Sequence, residues 1–174
     1  MQFKETEEQS MIREMVRNFA EEELAPSCLE RDKNQIAPIE EWKSFCEKTG
    51  LQGITIPEEY GGPGLDQISY GLKMQEIERG DSGIRSTASV QSSLVMYPIW
   101  KYGNDEQRNR FLPKLATGEL MGCFGLTEPD HGSNPAGMTT NYKDMGSYYL
   151  LNLSLIHISE PTRLLSISFA VFCV

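Results

Sequence analysis

Apolar residues return at helical spacing from the start of the chain: Met11, Ile12, Met15, Val16, Phe19 and Ala20 share one stripe, with Leu24 a turn further on. Thr6 followed by Gln9 has the form of a capping box, in which a hydroxyl and an amide each satisfy an orphan backbone group at a helix start. A first helix is predicted over residues 6–24, with Pro26 ending or kinking it, because proline lacks an amide hydrogen and crowds the preceding turn. A second helix starts at Pro38, carries Ile39, Trp42, Phe45 and Cys46 on its apolar side, and meets Gly50 where a left-handed cap is expected. Residues 51–65 hold Pro57, Gly61, Gly62, Pro63 and Gly64 and read as a loop.

Asp66 caps a third helix running to Arg79, and residues 80–83 break the pattern before a fourth over residues 84–102. Ala88, Leu94, Val95 and Ile99 are its core candidates, with Pro98 a kink near its end. Asn104 caps a fifth helix through Phe111, Leu112 and Leu115, which gives out at Thr117 and Gly118.

After Gly118 the period changes. Residues 121–126 form a short apolar run and residues 147–152 another rich in tyrosine and leucine, joined by a Gly, Pro and Asn-rich connection. These read as the first strands of a β domain, and two strands do not complete a sheet, since an isolated pair is marginal in water. The fold class expected is mainly α: a helical domain over residues 1–118, then the start of an incomplete β domain over residues 119–152. Residues 153–174 are nearly uncharged and continue neither pattern, and the run SLIHISEPTR resembles a translated sequencing adapter. That tail is expected to be non-native, and His157 within it is given no role.

Charge narrows the partners. With 16 Lys and Arg against 25 Asp and Glu in 174 residues, the net charge of −9 argues against a broad nucleic-acid surface. Cys28, Cys46, Cys123 and Cys173 are far apart with no CxxC pair, so no metal site is expected and the thiols read as reduced, cytoplasmic ones. No apolar run reaches the roughly 18 residues of a membrane span, and the acidic amino terminus lacks the form of a leader. GxGxxG, Walker, HExxH and GxSxG motifs are all absent.

Two segments carry candidate chemistry. In ERGDSGIRSTASVQSSL, helical spacing brings Arg85 and several serines onto one face. Small residues there permit close helix packing while Arg85 caps or salt-bridges; alternatively the guanidinium and a neighbouring hydroxyl hold an anion such as a carboxylate. In CFGLTEPDHGSNP, a strand delivers Thr127 into a turn that presents amides and hydroxyls, either as a ligand-cradling loop or as an ordinary turn with Glu128 and Asp130 solvated.

The run RSTASVQSSLVMYPIWKYGNDEQRNRFLPKLATGELMGCFGLTEPDHGSNPAGM, with IPEEYGGPGLD and GLKMQEIERGDSG before it, resembles the junction between the helical and β domains of acyl-CoA dehydrogenases. The resemblance covers residues 1–152, and DSGIRSTASVQSSLVM places it nearest the glutaryl-CoA dehydrogenase subgroup. It implies a tetrameric flavoprotein with one FAD per subunit, an acyl-CoA substrate, and an electron-transfer flavoprotein as acceptor. Phe124, Leu126 and Thr127 match residues lining the flavin ring; Gly132 and Ser133 match the pair at the flavin phosphate, Ser133 also facing the acyl-CoA. Arg85 and Ser89 match residues that hold the distal carboxylate of glutaryl-CoA, with Glu78 beside them. The implied reaction is α,β-dehydrogenation, then decarboxylation to crotonyl-CoA. Its glutamate base belongs to a later domain, so no residue here is assigned as catalytic. Asn134 stands where the family commonly has aspartate, and the tail replaces a Trp-containing flavin strand. A dehydrogenase of uncharged short acyl-CoA and a non-catalytic helical module are the alternatives, and the isolated chain is expected to be inactive.

Overall fold

Helix α1, Glu7–Phe19, starts in the predicted capping box: Gln9 N donates to Thr6 Oγ1 and Thr6 N to Gln9 Oε1, both at 3.1 Å. The computed structural model describes residues 4–155. Pro26 does not end the helix. A π-helical turn, Ala20–Leu24, leads into α2, Ala25–Asn34, with Ala25 N donating to Ala20 O five residues back. The wider turn makes room for the ring at the second position of α2.

The predicted fourth helix uses the same device. It runs as α5, Ser82–Ser89, a π stretch, Val90–Met96, and α6, Tyr97–Tyr102, with Tyr97 N donating to Ser92 O and Pro98 again second in the new segment. The extra residue per turn rotates Leu94 off the buried stripe to 40% exposure, correcting its expected place in the core. Between these helices lie α3, Ile39–Thr49, closed by Gly50 at φ 63°, and α4, Gln67–Gly80, capped by Asp66 Oδ1, which accepts from Ser69 N at 2.7 Å. Helix α7, Asp105–Ala116, begins in a second capping box, between Asn104 and Gln107.

The loop after α3 lies inside the protein. Leu51, Gln52, Ile54 and Ile56 are buried, and turns such as Ile56 N to Gly53 O (2.8 Å) and Leu65 N to Ile54 O (2.8 Å) satisfy its backbone. The core forms two clusters. In the first, Ile12, Val16 and Phe19 of α1 meet Trp42 and Phe45 of α3, with Phe19 edge-on to Phe45 at 5.5 Å and Ile84 and Ala88 of α5 completing it. In the second, Ile56, Val95, Met96 and Ile99 pack with Leu112 and Leu115 of α7.

The chain divides into two compact units between Cys123 and Phe124. The strand expected over residues 121–126, which crosses that boundary, is not formed; a strand needs a neighbour's ladder, and among the described residues none lies alongside it. The strands are β1, Asn141–Asp144, read from sequence as connection, and β2, Tyr149–Asn152, within the second predicted run. They pair antiparallel with Tyr142 opposite Leu151, and the rings of Tyr142 and Tyr149 meet edge-on at 5.6 Å. Of the predicted tail, Ser154 shares a hydrogen bond with Thr139 at 2.9 Å; residues 156–174, including His157, lie outside the described residues.

Candidate functional site

The corner between α4 and α5 gathers three of the sequence candidates. Asp81 caps α5, accepting from Ile84 N at 2.9 Å, and its other oxygen pairs with the buried Arg31. On the outer side of this corner, Glu78 accepts from Arg85 Nε at 2.6 Å and from Ser82 Oγ at 2.7 Å. The Arg85 bond, then the Ser82 bond, hold the Glu78 carboxyl below its ordinary range. Arg85 is 37% exposed, so the pair faces solvent. Ser89 follows one turn later on the same helix, half-buried. The neighbouring hydroxyls serve the helix: Thr87, Ser92 and Ser93 donate to carbonyls four residues back, at 3.1, 2.6 and 2.5 Å.

In the second unit, Phe124 is 47% exposed and Leu126 and Thr127 are half-buried. His131 N donates to Glu128 O at 3.1 Å, a turn that brings Gly132 beside Thr127; a Cβ on Gly132 would sit 3.9 Å from Thr127 Cγ2. Gly132 and Ser133 are exposed, and among the described residues no protein acceptor takes their amides.

The ordinary-turn alternative leaves Glu128 solvated, and it is buried at 2% exposure. Its carboxylate accepts from Thr139 N (2.7 Å), Thr139 Oγ1 (2.9 Å) and Thr140 N (2.6 Å), tying both ends of the loop together. Burial alone would raise its pKa; the hydrogen bonds from Thr139 and Thr140 outweigh that and push it down to about 2. Asp130 is exposed. No periodic signal marks Glu128, because a loop carboxylate looks the same in sequence whether it faces water or backbone amides. Its contribution to stability is therefore complete above the ordinary carboxylate range and fades as pH falls from there through about 2, while the folded protein keeps the carboxylate itself ionised down to that pH. The Thr139 and Thr140 amides should stay protected from hydrogen exchange at pH 3. Glu128→Gln, with one acceptor oxygen in place of two, should release at least one of them, and unchanged protection in the variant would show that the loop is held elsewhere.

Residues 6–119 match the family model for the acyl-CoA dehydrogenase N-terminal domain. An acyl-CoA dehydrogenase of Bacillus subtilis is 41% identical over 155 residues, covering 89% of this chain and 41% of that protein. A glutaryl-CoA dehydrogenase of Desulfococcus multivorans is 35% identical over 165 residues, 94% of this chain and 42% of that protein. The crystal structure of a Mycobacterium smegmatis glutaryl-CoA dehydrogenase in complex with FADH2 superposes with a TM-score of 0.79 at 44% identity, over 85% of this chain and 38% of that one. The fold and the match over residues 6–119 define a chain of the acyl-CoA dehydrogenase family, carrying its amino-terminal helical domain. More particularly, it spans about two fifths of the length of the relatives it matches.

Proposed function

We propose that this chain is the amino-terminal part of an FAD-dependent acyl-CoA dehydrogenase acting on glutaryl-CoA, with a helical domain over residues 1–118 and the start of a flavin-binding β domain over residues 119–152. The observation that carries the substrate assignment is the Glu78–Arg85 pair: a solvent-facing guanidinium already engaged by a carboxylate, with Ser89 one turn away. A dicarboxylic acyl group presents the same chemistry as Glu78 and can take its place on Arg85, whose planar fork suits a carboxylate. FAD, as the hydride acceptor, fits the second unit: Thr127 and Leu126 would face the ring, while the amides of Gly132 and Ser133 and the Ser133 hydroxyl would address phosphate oxygens. Phe124 would lie along the same ring edge. The loop that presents these groups is braced from within by Glu128, so their positions cost little to organise when ligand arrives. Electron-transfer flavoprotein as the acceptor, and a homotetramer, complete the proposal, with support from the resemblance.

Arg85→Ala in the full-length enzyme carrying this segment should lower kcat/KM for glutaryl-CoA by about tenfold or more, at 1.4 kcal/mol per factor of ten. The partial exposure of Arg85 puts the effect at the low end of those measured for ion-pair truncation. Butyryl-CoA, without a distal carboxylate, should be oxidised as well as before. Lysine at this position should recover part of the loss. Equal losses on both substrates would make Arg85 structural and leave an acyl-CoA dehydrogenase of uncharged substrates.

A further inference from the structure

Gln91 lies in the π stretch Val90–Met96 and is 3% exposed. Its side-chain amide meets the backbone of Gly122 in both directions: Nε2 donates to Gly122 O at 2.6 Å, and Oε1 accepts from Gly122 N at 2.9 Å. An amide side chain has the same donor–acceptor pair as a peptide unit, so Gln91 acts as a strand of one residue. The approach is close enough to need glycine, since a Cβ on Gly122 would lie 2.4 Å from Cγ1 of Val95, in the same π stretch. Gly122 is the penultimate residue of the helical unit, and Phe124 follows two residues later.

We propose that Gln91 is a positioning residue for the flavin-facing segment: by pinning both backbone groups of Gly122 it fixes where the chain leaves the helical unit, and so where residues 124–127 begin. The inference rests on the flavin reading of Phe124, Leu126 and Thr127 given above. Gln91 touches neither flavin nor substrate in this scheme; it acts through Gly122. Residues 119–127 carry no sheet ladder among the described residues; Leu120 N donates to Lys114 O at 3.0 Å, and just beyond it the side-chain clamp holds the backbone at Gly122.

Gln91→Met keeps the length and removes both bonds, whereas Gln91→Glu makes the clamp switchable. A protonated carboxyl carries one donor and one acceptor and reproduces both contacts; the carboxylate has no donor and opposes the Gly122 carbonyl. Two quantities are read in each variant at pH 5 and pH 8: hydrogen exchange of the Gly122 amide in the chain described here, and the dissociation constant of FAD in the full-length enzyme carrying it. Gln91→Met should speed Gly122 exchange and weaken FAD by about tenfold or more at both pH values, the cost of unpairing two half-buried backbone groups. Burial and the facing Gly122 carbonyl favour the protonated carboxyl above the ordinary glutamate range, so Gln91→Glu should resemble the wild type at pH 5 and Gln91→Met at pH 8, within one folded protein. Faster exchange with unchanged FAD affinity, or a Gln91→Glu protein whose FAD affinity ignores pH, overturns the inference while the flavin reading stands. A wild-type enzyme that holds no FAD overturns that reading and the inference with it.

Discussion

Replacing Lys73 by methionine is expected to make the chain more stable at pH 6 and less stable at pH 10, so that the two stability curves cross. Lys73 is fully buried in α4, its Nζ donating to Leu51 O at 3.1 Å and lying 5.3 Å from the Tyr70 ring centre and 6.0 Å from that of Phe45. Among the described residues it has no carboxylate partner. Its other titratable neighbour is the Cys46 thiol of α3, which burial pushes up to about 12 and so keeps uncharged. Burial pushes Lys73 down to about 7, from an ordinary value of 10.5. Between those values the unfolded chain holds one proton more than the folded one, so stability rises with pH, with a slope of up to about 1.4 kcal/mol per pH unit from this group. At pH 6 the wild type bears most of a charging cost of roughly 5 kcal/mol, which methionine removes. At pH 10 that cost has nearly gone, and the variant is left with an unpaired Leu51 carbonyl costing about 1–3 kcal/mol. Urea denaturation of both proteins from pH 6 to pH 10 measures the difference. Parallel curves would show that Lys73 is hydrated in solution.

Arg31→Ala should destabilise the helical unit by about 3–5 kcal/mol, as removal of one member of a buried charge pair does. The Arg31 guanidinium pairs with Asp81, binds Glu41 at 2.8 Å and Leu24 O at 3.2 Å, and contacts Ser27, so it joins α2, α3 and the α4–α5 corner. Arg31 and Asp81 side chains are each 8% exposed. Burial would raise the Asp81 carboxyl, but the Ile84 amide and Arg31 overcome it and hold it below its ordinary value of 3.8. That contribution is present above the unfolded value and fades as pH falls through the folded one, so Arg31→Ala should also flatten the acid limb of the stability profile. Combining it with Asp81→Asn should cost less than the sum of the two single changes, because the second removes the charge that the first left unpaired. Strict additivity would mean that the pair is not coupled.

How much of this was legible in sequence depended on whether a feature repeats. The capping residues Thr6, Asp66 and Asn104 were readable because a helix start imposes a fixed spacing on donors and acceptors. The stripes of α1 and α3 were readable for the same reason, although Met11 and Met15 lie at the exposed edge of the first. Pro26 misled, since the π turn that accommodates it leaves no mark in the pattern; at Pro98 the helix continues to Tyr102 as expected, through a second π turn that is equally unmarked. The extended run 121–126 was apolar enough for a strand, but a strand is defined by its neighbour. Helical spacing put Arg85 and the serines on one face, the substrate roles of Glu78, Arg85 and Ser89 came from resemblance, and the fold adds the contact between the first two. Lys73, Gln91 and Glu128 were missed. Each is a buried polar residue whose partner is a backbone group distant in sequence, and hydrophobic periodicity is blind to such pairings.

The π stretch Val90–Met96 also governs what changes of length the chain tolerates. Ahead of it, Ile84 and Ala88 serve the first core cluster; within and beyond it, Val95, Met96 and Ile99 serve the second. One residue turns an α-helix by about 100°. A π turn uses one residue more than an α turn for about the same rotation, so losing the exposed Leu94 would leave an unbroken helix of ordinary pitch that still aims Val95, Met96 and Ile99 at Leu112 and Leu115. The same loss from α5 has no such slack and would swing everything after it by that angle. A codon lost inside the π stretch is absorbed locally, while one lost ahead of it is a rotation of half the helix.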